Sequence, residues 1–391
     1  MSRMTTYTVS YESESHWKVL TQMRGSLWPK VRSSTVLLVV QSLVFCSSLT
    51  HISPLPQVLP YCVFNVCLMI ALILLDRRFP DAHKMVEVSS QGHSFVTLVV
   101  SFLLVSRVNT AMSRYNVARD HLGSMYRESR ELIQNVCVFS RDSTDEKAKE
   151  WRMEIAYRCL MLLRTAMAVI DYPTTGVPAW EVPELKGYEL EDIKRSVFIH
   201  PELEPYAHSV RSTWEETMRV PIRVAYLCRK TICSQSKRLR TPVQLSQENK
   251  LLSSIDGFMG GYYGIRKFLT TPVPFPLIQM ARTFLFLYVY TIPFVMLSDD
   301  SSDFAHCFAV FLMTFGFMGL ELVAIELDDP FGDDPNDFNN TALACTAYED
   351  TYLTIMDVDG FEWASKLRGT MYTQADDGTP TETSLLLSKI V

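Results

Sequence analysis

Five aspartates, Asp328, Asp329, Asp333, Asp334 and Asp337, fall within ten residues around Gly332. Hard divalent cations take about 6–8 oxygen ligands, and carboxylates spread along a tight glycine turn are the groups that supply them. The same block reads equally well as a solvated acidic turn that opens a helix. Two arginines, Arg107 and Arg114, follow directly on the apolar residues 94–106. Cations at the end of an apolar helix are placed to draw anions into a water-filled mouth, and they are equally able to snorkel or pair with acidic neighbours. Cys228 and Cys233 are of the type that binds metal, but no second Cys/His pair accompanies them, so ordinary thiols are expected. His93 precedes the apolar run and reads as a hydrogen-bonded cap or a pH-sensitive group. Asn339-Asn340-Thr341 forms a glycosylation sequon that an inner-side location would leave inert. There is no glycine-rich phosphate loop, no zinc-protease His-Glu motif and no serine nucleophile elbow, so enzyme chemistry has no anchor.

The elements that must position these residues are apolar. Hydrophobic residues make up 48% of the 391-residue chain and charged residues 20%, below the roughly 25% of soluble domains. The apolar excess sits in residues 36–49, 58–75, 95–105, 275–297 and 304–325, whereas 107–270 is amphipathic and charged. The two late stretches are long enough to cross a hydrocarbon core of ~30 Å, and 94–106 needs flanking residues to do so. Arg282 and Glu321 are the charges inside the late pair, and such groups face protein or water. On a helical period Phe95, Val99, Phe102 and Ser106 share a stripe about 60° wide, with Ser94, Thr97 and Ser101 on the other side, where small hydroxylated residues suit helix packing.

Basic residues mark one side of the membrane. Lys18, Arg24, Lys30 and Arg32 precede the first apolar stretch and a run from Arg211 to Arg240 precedes the fourth, while 298–303 reads SDDSSD. The N-terminus and the middle region are therefore expected on the inner side. Three early apolar stretches would separate them, so one of the three is expected not to be a full span. The opening residues are polar, and no secretory signal pattern is expected. Met125, Ile133, Val136, Val138, Ile155, Cys159, Leu162 and Leu163 recur at helical spacing through the middle region, with breaks near Pro173 to Pro183 and near Pro201 and Pro205. The cysteine number is odd and the spacing irregular, against a disulfide framework. Residues 369–391 are polar and expected to be disordered, with Leu385 to Leu387 as an apolar point that can dock on the body.

Four blocks carry a family resemblance. RVNTAMSRY at 107–115, after an apolar helix, resembles the signature that follows the pore helix of bestrophin-like anion channels, including the voltage-dependent chloride channels of plant thylakoids. TTPVPFPLI at 270–278 is similar to the stretch that opens that family's third span. ELVAIELDDPFGDDPNDF at 321–338 resembles its acidic segment after the last span, and MRGSLWPK at 23–30 the segment before the first. The resemblance implies a homopentamer around one pore, with the second transmembrane helix lining the neck. Counted back from the arginine that ends that helix, the neck falls on Gln91, Phe95 and Val99, with Phe102 as a fourth layer. A second, inner constriction after the RLRTP turn at 238–242 falls at Val243. Asp333, Asp334 and Asp337 match three acidic ligands of the family's calcium clasp. Segment 58–75 has no counterpart in the four-span pattern.

The expected architecture is all-α: a polytopic membrane protein with four or five transmembrane helices and a large inner helical bundle. Its expected segments are 1–32 polar, 33–110 first membrane region, 111–270 helical region, 271–326 second membrane region, 327–368 acidic turn and C-terminal helix, and 369–391 tail. The expected function is passive chloride conduction, with no required cofactor, a calcium ion as the one candidate, lipid and further copies of the chain as partners, and no nucleic acid. Either a thylakoid or a plasma membrane suits it. A secondary anion or bicarbonate transporter and a membrane-anchored scaffold are the rival readings, and a transporter should show an internal repeat that this sequence lacks.

Overall fold

The computed structural model describes residues 55–79, 90–185, 187–198, 213–271, 273–297, 302–331 and 337–371. In chain order the helices are α1 (Leu55–Arg78), α2 (Ser90–Phe139), α3 (Glu146–Thr175), α4 (Gly187–Val197), α5 (Thr213–Thr217), α6 (Val220–Cys233), α7 (Gln235–Arg238), α8 (Leu245–Thr270), α9 (Phe275–Met296), α10 (Asp303–Asp328), α11 (Asn340–Asp359) and α12 (Phe361–Met371), with a 3-10 turn at Ala179–Glu181. No strand occurs among the described residues. The chain divides into two units, Met1–Tyr115 with Val273–Asp337, and Asn116–Pro272 with Phe338–Val391.

The first unit is built from apolar length. α1, the start of α2, α9 and α10 are each long and apolar enough to cross a membrane. At a rise of about 1.5 Å per residue, the 24 residues of α1 and 26 of α10 exceed a ~30 Å hydrocarbon core. Residues 58–75 thus form the body of α1, a full-length apolar helix, while 36–49 lies outside the described residues. Between 22% and 33% of each apolar window is buried within the chain, so the rest of that surface needs lipid or another subunit. Val58, Cys62 and Met69 of α1 share a core with Val100 and Leu104 of α2, Leu285 and Val289 of α9 and Val310 and Met318 of α10.

Several polar groups within this apolar unit are paired across helices, as a medium without water favours. Fully buried Asn65 on α1 donates from Nδ2 to the Val289 carbonyl at 2.9 Å and to Thr314 Oγ1 at 2.8 Å, joining three helices. Arg282 and Glu321 meet at 2.8 Å, which pairs the two charges of the late spans with each other. Arg77, in the last turn of α1, pairs with Asp303 in the first turn of α10, where each charge complements its helix dipole.

The second unit packs around α3. Met125, Ile133, Val136, Ile155, Cys159, Leu162 and Leu163 are buried as their spacing predicts; Val138, in the last turn of α2, is 67% exposed instead. Trp151 Nε1 donates to the Thr231 carbonyl of α6 at 2.9 Å, and the Tyr126 hydroxyl on α2 reaches Met167 Sδ at 3.4 Å. α3 continues through Pro173 and stops at Gly176, whose φ of 67° turns the chain left-handed while its N–H donates to the Tyr172 carbonyl at 2.8 Å. α8 approaches α2 on glycines. A Cβ on Gly261 would stand 2.8 Å from the His121 carbonyl oxygen, and one on Gly264 would stand 2.4 Å from the His121 ring.

Arg152 closes this unit. Its guanidinium holds Asp359 through Nε at 2.8 Å and Nη2 at 2.5 Å, and Nη1 donates to the carbonyls of Ser140 at 2.9 Å and Ser143 at 3.1 Å. One buried side chain thereby fixes the end of α2, the turn after it and the end of α11. Removing one partner of a buried pair leaves an uncompensated charge, at a cost of about 3–5 kcal/mol. Asp359→Ala should therefore lower the melting temperature of the detergent-solubilised protein well below that of Asp357→Ala, whose aspartate is exposed.

Glu154 sets a pH limit on the same unit. Burial pushes its pKa up, but Arg238 and Arg158 outweigh burial and hold it below the ordinary 4.5. A carboxyl whose folded pKa is depressed adds stability above its unfolded pKa and loses it as pH falls through the folded value. Melting temperature should drop below about pH 4.5, and Glu154→Gln should flatten that acid limb. An unchanged limb in the variant would assign acid unfolding to other groups.

Candidate functional site

The first half of α2 has two faces. Val100, Leu104, Arg107 and Ala111 are at most 5% exposed and pack into the membrane unit. On the other side Phe95 is 69%, Leu98 68%, Phe102 72% and Val105 55% exposed, flanked by exposed Gln91, Ser106 and Asn109. The steps between them are three or four residues, so they form one ridge along the helix. Gln91, Phe95 and Phe102 lie on it. Val99 is half-buried at the edge, and Leu98 holds its place on the ridge. The face packed inward is the apolar row from Val100 to Ala111, not the hydroxylated row. Ser94 is exposed, and the Thr97 hydroxyl donates to the His93 carbonyl of its own helix at 2.8 Å.

Further along, the ridge turns polar. Phe102, Val105, Ser106, Asn109, Ser113 and Arg114, with Thr110 beside them, line an open groove of about 490 Å³. Exposed polar groups are costly against lipid, so a face that passes from phenylalanine to serine, asparagine and arginine is suited to water at its polar end. Arg107 points elsewhere. Its side chain is 4% exposed and pairs with Asp328, the last residue of α10, while Nε and Nη1 find no hydrogen-bond acceptor. Arg107 thus anchors the start of the acidic segment, and Arg114 is the cation of the groove.

The remaining candidates separate. His93 stacks on Tyr288 with ring centroids 4.6 Å apart and lies 3.3 Å from Thr291 Oγ1, packed against α9 and off the exposed ridge. Asp333 and Asp334 lie outside the described residues; Asp337 is half-exposed just before α11. Asn339 caps α11, accepting from the Ala342 N–H at 3.0 Å, so the sequon asparagine serves the backbone. Cys228 is fully buried, which pushes its thiol up to about 12, while Cys233 is exposed on the same helix. No group of three metal-ligating side chains occurs among the described residues.

Val243 faces inward within the single subunit. It is 7% exposed and clamped by Gln235, whose Oε1 accepts from the Val243 N–H at 2.8 Å. Two residues on, Leu245 opens α8 and is 72% exposed. The capping box formed by Gln244 and Gln247 marks that start, and its side-chain pattern is legible in sequence as the point where an outward-facing leucine follows the turn.

Comparison with known proteins places this arrangement. The family model described as "Bacterial/Fungal Bestrophin protein" matches residues 8–352. A voltage-dependent anion channel-forming protein of Nostoc sp. is 26% identical over 261 residues, covering 65% of this chain and 74% of the relative. One from Escherichia coli strain K12 is 23% identical over 308 residues, covering 78% and 89%. Two crystal structures of a bacterial bestrophin homologue from Klebsiella pneumoniae share the fold, with TM-scores of 0.58 and 0.59 at 17% and 16% identity, covering 78% and 76% of this chain and 100% and 99% of theirs. The chain belongs to the bacterial and fungal bestrophin family, and it is an integral membrane protein.

The two faces of α2 predict opposite outcomes. Leu104→Ala opens a cavity in a packed core and should cost about 2–5 kcal/mol of stability, read as lower melting temperature and yield. Phe102→Ala removes an exposed side chain and should leave stability close to the parent while raising single-channel conductance in planar bilayers. Equal losses of stability for the two variants would identify Phe102 as packing.

Proposed function

We propose that this protein is an anion-selective channel that conducts chloride and similar monovalent anions down their gradient, as a homopentamer with α2 of each subunit around the axis. The observation that carries this reading is the α2 ridge, apolar at Phe95, Leu98 and Phe102 and polar at Ser106, Asn109 and Arg114. A ridge of this kind fits a pore that narrows over apolar side chains and then opens into water. Hydrophobic constrictions gate by dewetting, and weakly hydrated monovalent anions lose water at the least cost. Phenylalanine rings present the positive edge of their quadrupole to an ion passing beside them. Neither a transporter nor a scaffold requires such a ridge to continue into a cationic groove. The names of the relatives, voltage-dependent anion channel-forming proteins, favour the same class.

Reversal potentials of the purified protein in asymmetric potassium chloride test it. The potential should follow the chloride gradient. A potential that follows potassium, or a protein without unitary currents, would overturn the assignment.

Calcium enters as a regulatory ligand. Asp328 pairs with Arg107, and Asp333, Asp334 and Asp337 carry the proposed clasp. A ligand that binds the folded state alone adds about 2.7 kcal/mol at a hundredfold excess over its Kd. Calcium should therefore raise the melting temperature, and Asp334→Ala should abolish the rise. No rise in the parent protein would leave the segment as a structural turn.

A further inference from the structure

We propose that Ser106, Asn109 and Ser113 form a ladder of uncharged donors that takes over the hydration of an anion as it leaves Phe102, and that this ladder sets the preference among monovalent anions. The proposal rests on the channel reading above and adds the groups that discriminate within it.

The three residues continue the Phe102 ridge by steps of four, three and four residues, and all are exposed. Their side chains differ from the threonines Thr97 and Thr110 of the same helix. Thr97 donates to the His93 carbonyl and Thr110 to the Ser106 carbonyl, both at 2.8 Å, so their protons are spent on the backbone. The Ser106 and Ser113 hydroxyls and the Asn109 amide have no partner among the described residues. Polar groups left unmatched on a helix that crosses hydrocarbon are costly against lipid, and the cost disappears if they face water or an ion.

The chemistry of discrimination points to the same groups. Arg107 is closed off by Asp328. Arg114 sits at the inner end of the groove, where its charge raises the local concentration of every monovalent anion alike. It admits anions and opposes cations, but it does not tell one monovalent anion from another. That choice depends on how well the site replaces lost water. Each hydroxyl supplies one donor and the amide two, which is enough to hold an ion briefly and too weak to trap it. Strongly hydrated chloride gains more from such donors than weakly hydrated thiocyanate.

The test is a bi-ionic reversal potential, chloride against thiocyanate, with the full-length protein in planar bilayers. Asn109→Leu should raise the thiocyanate-to-chloride permeability ratio by roughly two- to tenfold, the factor that one net hydrogen bond carries. Ser106→Ala, which removes a hydroxyl with little change of shape, should move the ratio in the same direction and keeps the test valid if the leucine variant fails to assemble. Arg114→Gln should lower chloride conductance and leave the ratio in place. An unmoved ratio in Asn109→Leu or Ser106→Ala, beside a normal anion current in the parent, would overturn the ladder alone. A ratio that shifts as far in Arg114→Gln would transfer the discrimination to charge. No anion current in the parent would overturn the channel reading and the ladder with it.

Discussion

Apolar side chains gain little by leaving lipid for protein, so helices that cross a membrane must be held by contacts that lipid cannot make. In this chain those contacts are polar and few. Asn65 joins α1 to α9 and α10, Arg282 joins α9 to α10, and Arg107 joins α2 to the end of α10. Each removes from hydrocarbon a group that would be unmatched on its own helix. The apolar core around Tyr288 and Met318 then fills the space that the polar pairs define. The outward ridge of α2 accords with this: with Arg107 paired to Asp328, Phe102 lies on the side of the helix away from the bundle.

The second unit is held on different terms. Arg152 is 1% exposed, and its guanidinium donates to a carboxylate, a hydroxyl and two carbonyls at a chain turn. Glu154, one turn from the Thr231 contact of Trp151, binds Arg158 and Arg238 while half-shielded from solvent. This is ion-pair bracing of the sort water-exposed bundles use, and it accompanies a close glycine seam between α8 and α2.

Much of this was legible in the residues. Apolar runs of 18 or more residues located α9 and α10, and Arg282 and Glu321 were expected to face protein or water; that they pair with each other came from the structure. Helical spacing located the buried face of α3. The register of the α2 ridge was harder, because residues 98–105 are almost uniformly apolar and neighbouring positions differ by 100° of rotation and by no change in polarity. Val99 and Leu98 are interchangeable to a periodicity argument; only the position of the bundle chooses between them. The partner of Arg107 lies 221 residues away, beyond any local rule. The burial of Val243 has a related cause, since a short polar clamp from Gln235 draws it inward while the turn itself looks open.

α2 runs for 50 residues without a proline, from the neck ridge to the turn that Arg152 holds. Kinks in helices arise at prolines and at interruptions of the hydrogen-bond ladder, so this helix behaves as a shaft. Its far half is gripped by side-chain contacts such as Tyr126 on Met167, and its near half carries Phe102. Held at Arg107 and unbroken along its axis, the near half keeps Phe95, Leu98 and Phe102 in a single line. A straight helix thus sets the rise from Phe95 to Phe102 at about 10 Å, seven residues at about 1.5 Å each.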